Sequence, residues 1–196
     1  MTWLIYTITT LLVILVLAFQ LIRPQPAPQV KAQTSVKSPF ELLNKKMYFP
    51  PVRVFTAEKT IDVSLARVDV GADGALQTPL QWDTGGWFVK SAKAGENGNT
   101  IINAHYDTNN GAPAAFWELK NLKEGDKVFL LDEMGRFFDY KVARVFYIDI
   151  NDPNRLDILE DGDKNGAVLT LITCGGVWDA VAGNYSKRVV VQASRI

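Results

Sequence analysis

From Val52 onward, short apolar runs alternate with turn residues, and the runs are of strand type. V-R-V-F (52–55), I-D-V-S-L-A-R-V-D-V (61–70), T-I-I-N-A-H (100–105), K-V-F-L-L (127–131), F-F-D-Y-K-V-A-R-V-F-Y-I-D-I (137–150), A-V-L-T-L-I-T (167–173) and R-V-V-V-Q-A (188–193) are rich in β-branched and aromatic residues. Glycine-bearing turns separate many of them: G-A-D-G (71–74), E-N-G-N (96–99), E-G-D (124–126) and E-M-G-R (133–136). Many short strands at fairly regular spacing predict a mainly β domain, a barrel or a sandwich. The best helical stretch is brief, 114–122, with Phe116, Leu119 and Leu122 at helical spacing. No internal repeat of solenoid or propeller period is present.

The N-terminus follows a different pattern. Residues 3–22 contain no charged side chain, and a run of about 20 apolar residues spans a bilayer. The run exceeds the ~7–15 residues of a signal-peptide core, and no small-x-small cleavage site follows closely. A retained membrane anchor at 1–23 is therefore expected, rather than a cleaved signal. Residues 24–50, rich in Pro and Gln at first, read as a semi-rigid spacer. The β-rich domain occupies 51–196. No Lys or Arg precedes the span, whereas Arg23, Lys31 and Lys37 follow it; by charge alone, the domain would lie in the cytoplasm.

Composition narrows the partners. The chain of 196 residues has 21 Lys plus Arg and 21 Asp plus Glu. That balance gives no basic field of the kind that marks a nucleic-acid binder. One cysteine, Cys174, excludes an intramolecular disulfide.

The chemistry gathers around two scarce residues. Cys174 follows the strand run T-L-I-T, and His105, the single histidine, ends the run T-I-I-N-A-H. Each alone has an ordinary structural reading, a small buried hydrophobe or a hydrogen-bonded ring. The pair is more informative, since a thiol nucleophile needs its thiolate, and a neighbouring imidazole can favour that ion or serve as acid and base in acyl transfer. Arg188 heads the strand run after the Cys174 segment, which is able to return beside it as an antiparallel neighbour. A fixed guanidinium there would stabilise charge on a carbonyl oxygen.

T-L-I-T-C with Arg188 14 positions beyond Cys174 resembles the T-L-x-T-C…R signature of sortases, membrane-anchored cysteine transpeptidases of the Gram-positive cell envelope. The segments at 61–79, 85–88 (G-G-W-F), 94–107 (A-G-E-N-G-N-T-I-I-N-A-H-Y-D), 114–128 and 171–179 (L-I-T-C-G-G-V-W-D) resemble, in order, segments of class F sortases. The resemblance covers roughly 51–196. It implies a closed eight-stranded β-barrel with short helices, Cys174 as nucleophile, His105 as general acid and base, and Arg188 as the substrate-positioning, oxyanion-stabilising cation. Asp107, Thr173 and Gly175 become candidates for supporting or substrate contacts, the two glycines after the thiol giving a peptide backbone room to approach. The implied partners are surface proteins with a C-terminal Leu-Pro-x-Thr-Gly-like sorting signal and an amine acceptor of the cell envelope. No metal or other cofactor is implied. It also implies an extracytoplasmic domain, against the charge pattern. The chain departs from the family's usual sequence at Ala104, where Gly is common before the histidine, and at A-G-E in place of P-G-E.

Three other readings of the chain compete with this one. D-G-D-K-N-G-A-V-L-T-L-I (161–172) begins like a calcium loop, but Ile172 stands where a bidentate Glu is needed. T-C-G-G resembles the nucleophile segment of chymotrypsin-like viral cysteine proteases, whose two barrels need more than the 69 positions between His105 and Cys174. The non-enzymatic alternative is a membrane-tethered β-domain that binds a partner protein, with Cys174 merely packed.

Overall fold

The computed structural model describes residues 46–58, 60–72, 74–160 and 166–196. The expected anchor, almost all of the spacer and the start of the calcium-loop-like segment lie outside the described residues. Eight strands form one closed barrel: β1 (Pro51–Thr56), β2 (Asp62–Val68), β3 (Thr84–Phe88), β4 (Gly98–Ala104), β5 (Lys127–Asp132), β6 (Phe137–Asp149), β7 (Ala167–Asp179) and β8 (Asn184–Arg195). Around the wall they run β1-β2-β3-β4-β7-β8-β6-β5, and β5 pairs with β1 to close it. The pairs β2–β3 and β4–β7 are parallel; the others are antiparallel. Closure leaves no long unpaired edge.

Period-two alternation sorts the side chains. The core takes Ala167, Leu169 and Leu171 from β7, Val189, Val191 and Ala193 from β8, Ile102 and Ala104 from β4, and Phe138, Tyr140 and Val142 from β6. Each such large apolar side chain contributes roughly 1.5–3 kcal/mol on burial. Tyr140, fully buried, accepts a hydrogen bond from the Gly95 amide at 3.0 Å, which satisfies its polar end.

The runs read as strands from the sequence all form strands, and the differences have physical causes. β3 is not among those runs, because two of its five residues are glycine and no β-branched run marks it. A Cβ on Gly85 would lie 2.8 Å from Leu65 Cδ2, and one on Gly86 2.7 Å from Asn103 Oδ1 and 2.8 Å from Val68 Cγ1. Side chains of β2 and β4 close over this strand, so only glycine fits. The helix expected over 114–122 is instead a 3-10 turn at Trp117–Asn121. Phe116, Leu119 and Leu122 are spaced by three, the 3-10 period, and all three are buried. A short helix, α1 (Asp157–Glu160), lies in the connection from β6 to β7.

Candidate active site

The alternation that fills the core turns the intervening residues of β4, β7 and β8 outward. Cys174 lies within β7, on the outer wall and half-buried. On β8 its direct antiparallel partner is Arg188, and directly opposed residues share one face of a sheet. On the other side, β4 runs parallel to β7 with Asn103 opposite Ile172. Two residues further along each chain stand His105 and Cys174. A row of imidazole, thiol and guanidinium thus crosses three neighbouring strands. The strand containing the thiol runs on through the glycines to Asp179 rather than ending at Cys174, with an irregularity between Gly175 and Trp178.

Thr173 fastens the row. Its hydroxyl is buried on the face opposite Cys174 and donates to the Ala104 carbonyl oxygen at 2.8 Å, tying the last residue of β4 to β7. His105 is then held on several sides. Its Nε2 lies 2.8 Å from the Pro79 carbonyl oxygen, and because a carbonyl only accepts, Nε2 carries the proton. In the neutral ring this leaves the lone pair on Nδ1. The Trp82 ring packs on the imidazole with centroids 4.4 Å apart, and the His105 carbonyl accepts from the Phe116 amide at 2.9 Å. The connection between β2 and β3 therefore supplies the wall behind the histidine.

Arg188 is fixed from its own hairpin. Nη1 donates to the carbonyl oxygens of Tyr185 at 3.2 Å and Lys187 at 3.0 Å, and Nη2 donates to Asn184 Oδ1 at 3.1 Å. No carboxylate pairs with it among the described residues. Asp107, two residues past His105, accepts a hydrogen bond from the Tyr185 hydroxyl.

Burial pushes the Cys174 thiol above its ordinary value; the Arg188 cation opposes that rise and the Asp107 carboxylate adds to it. The resting group at neutral pH is accordingly a protonated thiol, and attack on a carbonyl requires a base. The Asp107 carboxylate pushes the Tyr185 phenol up to about 12, so the phenol remains a hydrogen-bond donor.

Of the residues singled out from the sequence, His105, Cys174, Arg188, Asp107 and Thr173 lie together at this end of the barrel. Gly175 is level with them but turned inward: a Cβ there would lie 2.6 Å from Val189 Cγ2. Pro79, Trp82 and Tyr185 were not singled out. Trp82 and Tyr185 are aromatic residues near turns, and only tertiary pairing brings them to the site. Among the described residues, no group of three or more His, Cys, Asp or Glu side chains is placed to hold a metal ion.

A thiol, an imidazole and a guanidinium with no carboxylate partner among the described residues, arrayed on a closed barrel wall, make a site suited to thiol-based acyl transfer. The chain belongs to the sortase family: the sortase domain matches residues 60–196, and the protein is a sortase-type transpeptidase. Among solved structures, sortase A from Corynebacterium diphtheriae is similar at 22% identity, over 84% of this chain and 72% of that one, with a TM-score of 0.58. Listeria monocytogenes sortase A is similar at 19% identity, over 74% of this chain and 87% of that one, with a TM-score of 0.56. Sortase C-1 from Actinomyces oris is similar at 19% identity, over 86% and 85%, with a TM-score of 0.56. No curated protein sequence matches the chain.

Proposed function

We propose that this chain is a membrane-anchored, extracytoplasmic sortase of class F type. It cleaves a C-terminal Leu-Pro-x-Thr-Gly-like sorting signal between Thr and Gly and transfers the Thr acyl group to an amine of the cell envelope. The observation that carries the reading is the row of His105, Cys174 and Arg188 across β4, β7 and β8. Its proton and electron flow is simple. Cys174 Sγ attacks the Thr carbonyl carbon as its proton passes to His105, and the resulting oxyanion is stabilised by Arg188. When the C–N bond breaks, His105 returns the proton to the departing Gly amine, leaving a thioester. An incoming amine then attacks that thioester and gives a proton to His105, and the Cys174 sulfur leaves as the thiolate and takes that proton back from the imidazolium, restoring the resting thiol. Thr173 holds the end of β4 against β7 throughout, so the histidine and thiol stay level.

The outward position of the row suits a peptide lying along the barrel wall. The class assignment and the extracytoplasmic placement rest on the resemblance of the ordered segments at 61–79, 85–88, 94–107, 114–128 and 171–179, and the membrane anchor on the uncharged run 3–22. The two-barrel protease alternative loses its basis, because both reactive residues stand on one closed barrel. The test is product analysis: the full chain in detergent is incubated with a library of Leu-Pro-x-Thr-Gly-type peptides and an oligoglycine amine. Cleavage after Thr with ligation to the amine is expected. Cleavage elsewhere, or no amine-dependent product from any peptide, would overturn the reading.

A further inference from the structure

We propose that Tyr185 is a positioning residue that holds the Asp107 carboxylate away from Arg188, keeping the guanidinium open to a substrate carbonyl oxygen. Asp107 takes the hydroxyl of Tyr185 and Arg188, directly opposite Cys174, donates to the Tyr185 carbonyl oxygen, so an anion and a cation engage the two ends of one residue beside the thiol. Such neighbours ordinarily pair, and an Arg–carboxylate pair is favoured by charge and by the bidentate fork. Here they do not pair. The Asp107 carboxylate takes the Tyr185 hydroxyl, while Arg188 donates only to two backbone carbonyls and the Asn184 side chain. Its Nε–H has no partner among the described residues.

Tyr185 suits this task because it is itself held. It stands opposite Trp178 in the β7–β8 hairpin, with the Trp178 ring edge-on at 5.1 Å and the Tyr106 ring edge-on at 5.6 Å. Its amide donates to Asn184 Oδ1 at 2.9 Å. Its carbonyl receives Arg188 Nη1 and its hydroxyl engages Asp107, so one residue fixes the cation and restrains the anion that would otherwise cap it. This rests on the reading of Arg188 as the oxyanion cation.

The test uses the full chain in detergent, with Tyr185→Phe, Asp107→Asn and the combined variant. Two quantities are read: the pH midpoint of Cys174 alkylation by iodoacetamide, followed by intact mass, and the rate of acylation by the best peptide substrate. The titratable or charged groups around the thiol are His105 and Asp107 at the end of β4, and Tyr185, Lys187 and Arg188 on β8. With Tyr185→Phe, Asp107 neutralises Arg188, so the alkylation midpoint rises. Acylation falls about tenfold or more, while the Tm moves by less than about 4 °C. Adding Asp107→Asn to Tyr185→Phe returns the midpoint to the wild-type value or below and recovers most of the lost rate. A combined variant as impaired as Tyr185→Phe alone, an unchanged midpoint in Tyr185→Phe, or an activity loss that tracks a large fall in Tm would each overturn the proposal. The alkylation midpoint needs no substrate, so it judges the clamp even if the wild-type chain forms no acyl adduct, a result that would count against the transpeptidase reading instead.

Discussion

Cys174 and Arg188 stand directly opposite each other in the β7–β8 ladder, the guanidinium held by three hydrogen bonds within its own hairpin. That pairing fixes the cation beside the sulfur before any substrate arrives. Preorganised charge of this kind has no reorganisation cost at the moment of reaction. Arg188→Lys keeps the charge but loses the planar fork that reaches three acceptors. The expected result is a fall of roughly 10²–10³ in kcat, the scale of losing one oxyanion donor, with the Tm little changed. Steady-state kinetics beside thermal unfolding checks it; near-normal kcat would make Arg188 an ordinary strand residue.

Cys174→Ala removes the nucleophile and little else, since the site is half-buried and on the outer wall. Acyl transfer should vanish while the circular dichroism spectrum and unfolding curve stay close to wild type. Residual turnover above the uncatalysed rate would point to a different nucleophile.

The raised thiol value sets the direction of the pH dependence. Burial favours the neutral form, and Arg188 partly offsets it. Alkylation of native Cys174 should therefore rise with pH through a midpoint above that of the unfolded chain. Arg188→Gln, which removes the opposing cation, should move the midpoint higher still. A shift to lower pH in that variant would show that the guanidinium does not act on the thiol.

Thr173→Val replaces the hydroxyl that donates to Ala104 with a methyl of similar size. The Ala104 carbonyl is then left short of a partner at a buried position, a loss of about 1–3 kcal/mol. For a domain of this size that lowers the Tm by about 2–4 °C per kcal/mol, and a greater proportional loss in kcat/KM should follow because the end of β4 carries His105. An unaltered Tm would mean that the strands are aligned by their ladder alone.

Gly176→Ala tests the hairpin after the thiol. Gly176 has φ of 82°, and a Cβ would lie 2.5 Å from Ser186 Oγ. Ser186 Oγ accepts from the Val177 amide at 3.0 Å, so the substitution strains the backbone and displaces that acceptor together. Stability should fall by at least about 1 kcal/mol, measured by denaturant unfolding, and acylation should slow with it. Tolerance of the change would show that the hairpin relaxes freely at this point.

Much of the barrel was legible because seven of its strands present alternating or continuous apolar runs of β-branched residues. β3 was not, since its glycines answer to the crowding of Leu65, Val68 and Asn103 from neighbouring strands, which no local pattern records. The 3-10 turn carries the sequence pattern of a helix, because Phe116, Leu119 and Leu122 satisfy both periods over so short a span. β6 carries an irregularity between Val142 and Arg144, which shifts the inward set from Val142 to Val145 and blurs strict alternation. At the site, scarcity itself pointed to Cys174 and His105, and strand order made Arg188 a plausible neighbour. Pro79, Trp82 and Tyr185 act through a carbonyl, a ring face and a hydroxyl supplied across the fold. Nothing in their local sequence distinguishes them from loop and strand residues elsewhere.

The central claim is that Cys174 takes up the acyl group, and intact-mass analysis of the full chain during turnover tests it most directly. With a cleavable Leu-Pro-x-Thr-Gly-type peptide and no amine, the account predicts a mass increase equal to the peptide up to Thr, mapped to Cys174 and discharged when oligoglycine is added. An enzyme that cleaves the peptide without ever carrying that adduct, or carries it on a residue other than Cys174, would contradict the account.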